Sequence, residues 1–281
     1  MQARSTILAE SFLSELLRSA GEVLARRETI WSLVTSNLRA GHRDKALGHL
    51  WNLLDPLMFV GVYFVVFGLL FNQGRAAGRG TFIIYLSIGV LAFRFFEGTI
   101  LQAANCIKAN RGLIHEIRFP KAVFPIAVSL SRLYDLLWGL LVLIPLLLAV
   151  GVPLTLHILW AVPLIFLFLL FTSGLAFLAA YLGAFFADTS NVVSVVLRLL
   201  MYLSPTFYYA RGEHALIPEQ FRILYMANPL ACFFEGLRDA MLWGRLPEPG
   251  MAAYAAAVSL AVFAVGFGVF VSGEGRFAKY V

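Results

Sequence analysis

The sequence predicts an all-α, polytopic membrane protein with six transmembrane helices in a single domain, residues 1–281. The chain is 60% hydrophobic and only 14% charged, whereas soluble domains carry about 25% charged residues. Several windows exceed the ~18 apolar residues that indicate a transmembrane helix. The lysines and arginines that raise the pI to about 9.5 border these windows, where anionic lipid and topology account for them. We therefore expect a lipid bilayer, and no nucleic acid, as their partner.

The boundaries of the six spans follow from breaks between apolar runs. Only residues 151–154 separate the third span from the fourth, and only residues 187–189 separate the fourth from the fifth. The first connection predicts a tight helical hairpin, and at the second Asp188, Thr189 or Ser190 can cap the fifth helix. The predicted spans cover residues 52–72, 82–107, 122–150, 155–186, 190–210 and 252–272.

The orientation follows from the distribution of lysine and arginine. With the N-terminus in the cytosol, the cytosolic segments hold 13 of these residues and the external segments hold six. This bias predicts that both termini are cytosolic. The first 50 residues hold seven basic residues and no long apolar core, so we expect a cytosolic segment there and no cleaved leader.

Two further units are too short or too polar to span a bilayer. Residues 10–27 have apolar side chains at helical spacing opposite a charged face, which predicts an amphipathic helix. It lies either in the membrane interface or on the cytosolic surface of the protein itself. Residues 216–246 predict a pair of external re-entrant helices between spans five and six, because neither half reaches ~20 residues.

A basic, amphipathic interruption separates the second and third spans. Residues 110–125, NRGLIHEIRFPKAVFP, mix charged and apolar side chains between two long apolar runs and include two prolines. The charge count places this segment in the cytosol, at the membrane surface. We expect it to present a compact surface to another molecule.

Sequence patterns for catalysis or metal binding are absent. The chain has no GxxxxGK[ST] phosphate loop, no HExxH, no GxSxG and no Cys/His cluster. The two cysteines, Cys106 and Cys232, fall on opposite sides of the predicted membrane, which disfavours a disulfide. We therefore predict a transport subunit without enzymatic activity, metal or cofactor of its own. If ATP drives transport, a partner ATPase must bind it.

The ionisable residues inside the spans are of two kinds. Arg94 with Glu97 and Arg132 with Asp135 are spaced i,i+3 and can neutralise each other locally. Asp55 and Arg198 have no such local partner. Arg198 either faces a polar pore or is satisfied by carbonyls or a partner subunit.

Aromatic residues recur at every fourth position of the first span and lie at the outer end of the fifth. Aromatic rings stack on sugars, so they suit a path for a glycan. The alternative is an interfacial belt with ordinary packing, which Tyr208 and Tyr209 at the outer end favour. The candidate channel-lining residues are Asp55, Phe59, Tyr63, Phe67, Arg198 and Tyr202.

Four stretches in this order resemble one family, the permease subunit of type-2 ABC transporters that export polysaccharides such as O-antigen, capsule and teichoic acid. The first combines a basic approach with Trp51, Asp55 and Pro56, and the second is the basic interruption. The resemblance extends over nearly the whole chain. The stretches are residues 38–71, 110–125, 185–193, and 204–208 together with 226–242.

The resemblance implies a half-transporter in the bacterial inner membrane. Two copies would form a channel from their first and fifth spans, and two copies of a cytosolic ABC ATPase would bind beneath. The substrate would be a lipid-linked polysaccharide moved from cytosol to periplasm. Residues 110–121 are similar to the coupling helix that docks on the ATPase. The implied contacts are Arg111, Leu113, Ile114, His115, Glu116, Arg118, Phe119 and Lys121.

Two alternatives remain open at this point. A small-molecule or drug exporter permease would share the same fold. An ion-coupled carrier, or a structural membrane subunit, belongs to a different class. An ion-coupled carrier is expected to place acidic residues near the midplane, whereas Asp55 and Asp188 lie at predicted membrane edges.

Overall fold

The regular structure of the described residues is helical. The computed structural model describes residues 18–19, 21–23, 25–42, 51–70, 78–116, 119–211, 220 and 225–280, and these residues contain no strand. The all-helical prediction is confirmed for them. The helices are α1 (Arg27–His42), α2 (Trp51–Tyr63), α3 (Arg79–Ala109), α4 (Arg111–Glu116), α5 (Val123–Ala149), α6 (Ala161–Phe185), α7 (Thr189–Leu203), α8 (Pro229–Met241) and α9 (Pro249–Tyr280).

Four stretches among the described residues are long and apolar enough to cross a bilayer: Gly80–Ala109, Val123–Ala149, Leu156–Phe185 and Pro249–Phe277. The third begins with the 3-10 helix Leu156–Trp160, which leads directly into α6. These four coincide with the second, third, fourth and sixth predicted spans.

The first and fifth predicted spans differ from these four helices in geometry or in length. α2 continues into a π-helix, Phe64–Leu70. α7 has 15 residues, or about 22 Å, which is shorter than the ~30 Å hydrocarbon layer. It ends at Leu203, seven residues before the predicted end, because Ser204 is extended and precedes Pro205, a position that disfavours helix. The count of six spans stays a prediction.

α3 is the central helix and the most buried of the four. It packs against α2, α5, α6 and α7, and α6 packs in turn against α9. Glycines permit the closest of these approaches. A Cβ on Gly183 would lie 1.7 Å from the carbonyl oxygen of Ala104, and one on Gly266 would lie 2.0 Å from that of Gly174. Small residues at helix crossings are typical of membrane bundles, where close backbone packing replaces the hydrophobic effect.

The bundle has two chemically different ends. At the α4 end, α3 terminates, α5 begins, and the last turns of α9 pack beside them around Ile107, Ile114, Phe124 and Phe277. At the opposite end, which we call the α8 end, α8 packs on α3, α6 and α9.

α1 was not predicted. Its low overall hydropathy hides an apolar stripe, since Ile30 and Val34 are buried while Trp31 is exposed. It packs along α5, where Asn37 Nδ2 donates to Ser131 Oγ at 3.4 Å. Of the predicted amphipathic helix 10–27, the described residues 18–19, 21–23 and 25 are helical and Arg26 forms a turn. Residues 10–17, 20 and 24 lie outside the described part.

α8 corresponds to the second half of the predicted re-entrant pair. Asn228 caps it by accepting a hydrogen bond from the backbone N–H of Leu230 at 3.0 Å, and Pro229 occupies its first turn. Every residue from Leu230 to Met241 is buried, including the charged ones. Most of the first half, residues 216–219 and 221–224, lies outside the described residues.

Candidate functional site

The predicted coupling segment forms a short helix at one end of the bundle. Arg111, Gly112 and Leu113 are exposed, whereas Ile114 is buried among side chains of the core at the α4 end. The helix therefore anchors one side chain in the protein and presents its first turn outward. His115 and Glu116 belong to the helix, but their side chains, and the whole of Arg118, lie outside the described residues.

The remaining residues of this segment contact the protein itself. The Phe119 ring packs against Phe124, with centroids 5.4 Å apart. The backbone N–H of Lys121 donates to Glu274 Oε1 at 2.6 Å, and Lys121 Nζ donates to the carbonyl oxygen of Glu274 at 3.2 Å. These two bonds join the end of the segment to the last turns of α9, and the Phe119 contact joins it to α5.

The predicted aromatic stripe packs against a residue of the turn that follows α7. Tyr63 lies 3.9 Å from Phe207 between ring centroids, and Phe67 stacks on the same ring at 5.6 Å. Tyr202 is 6.0 Å from it. Phe207 is fully buried, so the turn holds the first and fifth predicted spans together. The side chains of Asp55 and Phe59 lie outside the described residues.

Arg198 occupies an unusual environment on α7. It is exposed, and so are Val195, Leu199 and Tyr202 on the same helix. Among the described residues no ion pair with Arg198 is present. A guanidinium in contact with lipid hydrocarbon is costly. This face of α7 therefore suits contact with water or another polypeptide better than contact with lipid.

Residues 28–242, which make up most of the chain, match the family described as ABC-2 type transporter. The protein belongs to the ABC-2 type transporter family. This confirms the resemblance stated from the four sequence stretches.

Three relatives indicate where this ABC-2 protein lies in its family. It is 26% identical to the O-antigen export system permease protein RfbA of Myxococcus xanthus over 95% of this chain and 100% of that protein. It is 26% identical to the RfbA of Klebsiella pneumoniae over 76% of this chain and 80% of that protein. It is 24% identical to the polysialic acid transport protein KpsM of Escherichia coli over 91% of this chain and 96% of that protein.

The family match of this ABC-2 protein ends at the C-terminus of α8, which carries a buried charge cluster that sequence reasoning missed. Arg238 is wholly inaccessible to solvent. Its Nη1 donates to Glu235 Oε1 and to the Pro205 carbonyl, each at 2.7 Å. Its Nε and Nη2 donate at 3.2 Å to the carbonyls of Tyr85 and Thr206. One guanidinium thus joins α8, α3 and the turn after α7.

The Tyr85 side chain completes this cluster. The Arg238 guanidinium carbon lies 3.4 Å from the centre of the Tyr85 ring, which is cation–π geometry. Tyr85 Oη lies 3.0 Å from Glu235 Oε1 and 2.8 Å from the carbonyl oxygen of Tyr208. Phe207, which holds the aromatic stripe, belongs to the same turn. The cluster therefore fixes the end of the α2 and α7 surface that was predicted to line a channel.

Asp239, itself buried, pairs with two more accessible arginines at the α8 end. Its carboxylate accepts a hydrogen bond from Arg245 Nε at 2.8 Å and lies 3.6 Å from Arg211 Nη1. Burial raises the pKa of Asp239, while both arginines act in the opposite direction. The only sequence signal for Glu235, Arg238 and Asp239 was their proximity along α8, which does not predict burial.

Proposed function

We propose that this protein is the permease subunit of an ATP-driven exporter that moves a lipid-linked polysaccharide of the O-antigen type from cytosol to periplasm. The observation that carries the proposal is its similarity along the full length of an O-antigen export permease. The similarity to a polysialic acid transport protein supports the same substrate class. Both relatives are named for moving polysaccharides, and neither is named for moving a drug or an ion.

The α4 end is the proposed site of ATPase docking. The first turn of α4 is exposed and basic, while Ile114 and the bonds of Lys121 to Glu274 connect it to three long helices. Such an element can receive a force at its surface and pass it into the bundle. In the full transporter, two copies of an ABC ATPase would supply that force by binding and hydrolysing ATP.

The α2 and α7 surface is the proposed wall of the pathway. Its aromatic residues offer stacking faces for sugars, and Arg198 requires a polar neighbour. A homodimer that brings two such surfaces together would meet both requirements. The charge distribution supports an inner-membrane orientation in which the α4 end and both termini are cytosolic.

Reconstituted transport tests the substrate and the energy source together. Inside-out vesicles holding the protein and its ATPase receive a lipid-linked glycan, and protection of the glycan from an added glycosidase reports export. We expect protection with ATP and none with a hydrolysis-deficient ATPase. Absence of protection with ATP would overturn the proposal, and ATPase stimulation by amphiphilic drugs but not by glycan would favour a drug exporter instead.

A charge-reversal pair tests the docking site. Arg111→Glu changes the exposed first turn of α4, and Arg39→Glu makes the same change at an exposed position of α1. We expect Arg111→Glu to reduce co-purification of the ATPase about tenfold, the scale of one charge-assisted contact, with membrane insertion unchanged. Equal losses in both variants would mean that general positive charge, and not α4, recruits the ATPase.

A further inference from the structure

A cavity of about 390 Å³ opens between α1, α3 and α5 at the α4 end of the bundle. It is separate from the α2 and α7 surface. One part of its wall is apolar, formed by Leu33, Leu101, Phe124 and Val128, and another carries amides and one guanidinium. The polar lining residues are Asn37, Gln102, Asn105, Asn110 and Arg132.

Arg132 is the cation in this wall. Its side chain keeps 40% of its surface accessible, although it lies nine residues inside α5, or about 14 Å from Val123 along the helix axis. Its Nε donates to Gln102 Oε1 at 2.9 Å, and its Nη1 lies 3.5 Å from Asp135 Oδ2. Gly98 lies beside the guanidinium, where a Cβ would approach Nε to 3.4 Å.

Arg132 already bonds to Gln102 and pairs with Asp135, but the depth and accessibility of these polar groups favour a polar occupant. α3 and α5 are both long and apolar enough to cross a bilayer, so Gln102 and Arg132 lie at depths normally occupied by hydrocarbon. Acyl chains cannot satisfy a guanidinium or an amide. The volume falls within the range of small-molecule sites and is too small for a polysaccharide.

We infer that this cavity binds the phosphate-bearing headgroup of a bilayer phospholipid. The planar guanidinium of Arg132 matches a phosphodiester and binds it best where water is scarce. The side-chain amides of Gln102 and Asn105 can donate hydrogen bonds to the glycerol and ester oxygens of the lipid. The apolar wall suits the first carbons of the acyl chains. Because α1 forms one side of the cavity, a bound lipid would stabilise α1 against α3 and α5.

Native mass spectrometry of the full-length protein in mild detergent tests this site. We expect the wild type to retain phospholipid and Arg132→Gln to retain it about tenfold more weakly, since one charge-assisted contact is lost. Asn105→Leu narrows the cavity but leaves the ion pair of Arg132 with Asp135 in place. Weaker lipid retention by this variant would therefore report loss of the site and not unfolding. Asn191→Leu makes the same change at an exposed position of α7 and should retain lipid normally.

A second measurement uses stability. Adding phosphatidylethanolamine or phosphatidylglycerol to delipidated protein should raise the melting temperature of the wild type and of Asn191→Leu, but not of Asn105→Leu. Equal retention and equal shifts in all variants would overturn the inference. Displacement of the phospholipid by a polyprenyl phosphate would also overturn it, in favour of a site for a substrate carrier. None of these readouts depends on what the protein transports.

Discussion

Two arginines, each three residues from its carboxylate partner, lie in different environments at opposite ends of this protein. Arg238 pairs with Glu235 and Arg132 pairs with Asp135, each three residues apart on a helix. At the α8 end, Arg238 is wholly buried and its guanidinium also bonds to three backbone carbonyls. At the α4 end, Arg132 keeps 40% of its side chain accessible beside a cavity.

The difference shows that an i,i+3 pair predicts charge compensation but not its purpose. A buried guanidinium whose partners all belong to the protein connects helices, and the loss of any partner leaves an unpaired polar group. A guanidinium with an accessible side has capacity for a ligand. The buried bonds of Arg238 thus hold the helices of the α8 end in one arrangement. At the α4 end, Arg132 and the first turn of α4 remain accessible, which suits an element that moves.

The largest expected effect is at Arg238. Arg238→Met leaves the Glu235 carboxylate buried without its cation and three carbonyls without a donor. We expect a destabilisation of about 3–5 kcal/mol, seen as a large fall in folded yield and in melting temperature by fluorescence-detected size-exclusion chromatography. The double variant with Glu235→Gln should recover part of the loss, because no unpaired charge remains. A melting temperature unchanged in the single variant would contradict the role of Arg238 in joining the helices.

Gly89 offers a second way to disturb the same cluster without removing a charge. A Cβ at this position would lie 2.5 Å from Arg238 Nη2 and 2.8 Å from the Thr206 carbonyl oxygen. We expect Gly89→Ala to cost about 1–3 kcal/mol through overpacking. Gly61→Ala on α2 is the matched control, since nothing lies within 4 Å of its added methyl group. Equal melting temperatures for the two variants would mean that the turn after α7 shifts to accommodate the added methyl group at little cost in stability.

Much of this architecture could be predicted from the sequence because it depends on local properties. The length and hydropathy of the runs predicted the long helices, and the spacing of Arg132 and Asp135 predicted their ion pair. α1 was missed because its buried apolar residues, Ile30 and Val34, are few among polar neighbours. Its signal was their four-residue spacing, which is easily overlooked in a charged segment.

The sites were harder to predict because their contacts are distant along the chain. The carbonyls that bind Arg238 belong to residues about 30 and about 150 positions earlier, and no local pattern indicates them. The position of the coupling segment was predictable, but the bond between Lys121 and Glu274 joins two segments with no shared motif. The roles of α4 in docking and of the aromatic stripe in transport stay predictions.

A smaller effect on stability is expected at Arg132. The pair with Asp135 is half accessible and 3.5 Å long, so its contribution should be near the ~0–1 kcal/mol of exposed pairs. Arg132→Gln should therefore lower the melting temperature of delipidated protein far less than Arg238→Met does. The two variants measured side by side in one detergent provide the comparison. Equal losses would show that both pairs hold the fold and that the α4 end is no more adaptable than the α8 end.

The smallest effect on stability is expected at Glu274, where the consequence should appear in coupling instead. Glu274→Gln keeps an oxygen that can accept the N–H of Lys121 and leaves the backbone carbonyl for Lys121 Nζ, whereas Glu274→Ala removes the side-chain acceptor. If this bond passes force from α4 to α9, the alanine variant should hydrolyse ATP normally with its ATPase but export less glycan per ATP. The glutamine variant should restore the wild-type ratio. A normal ratio in Glu274→Ala would assign the transmission of force to α5 alone, through Phe119 and Phe124.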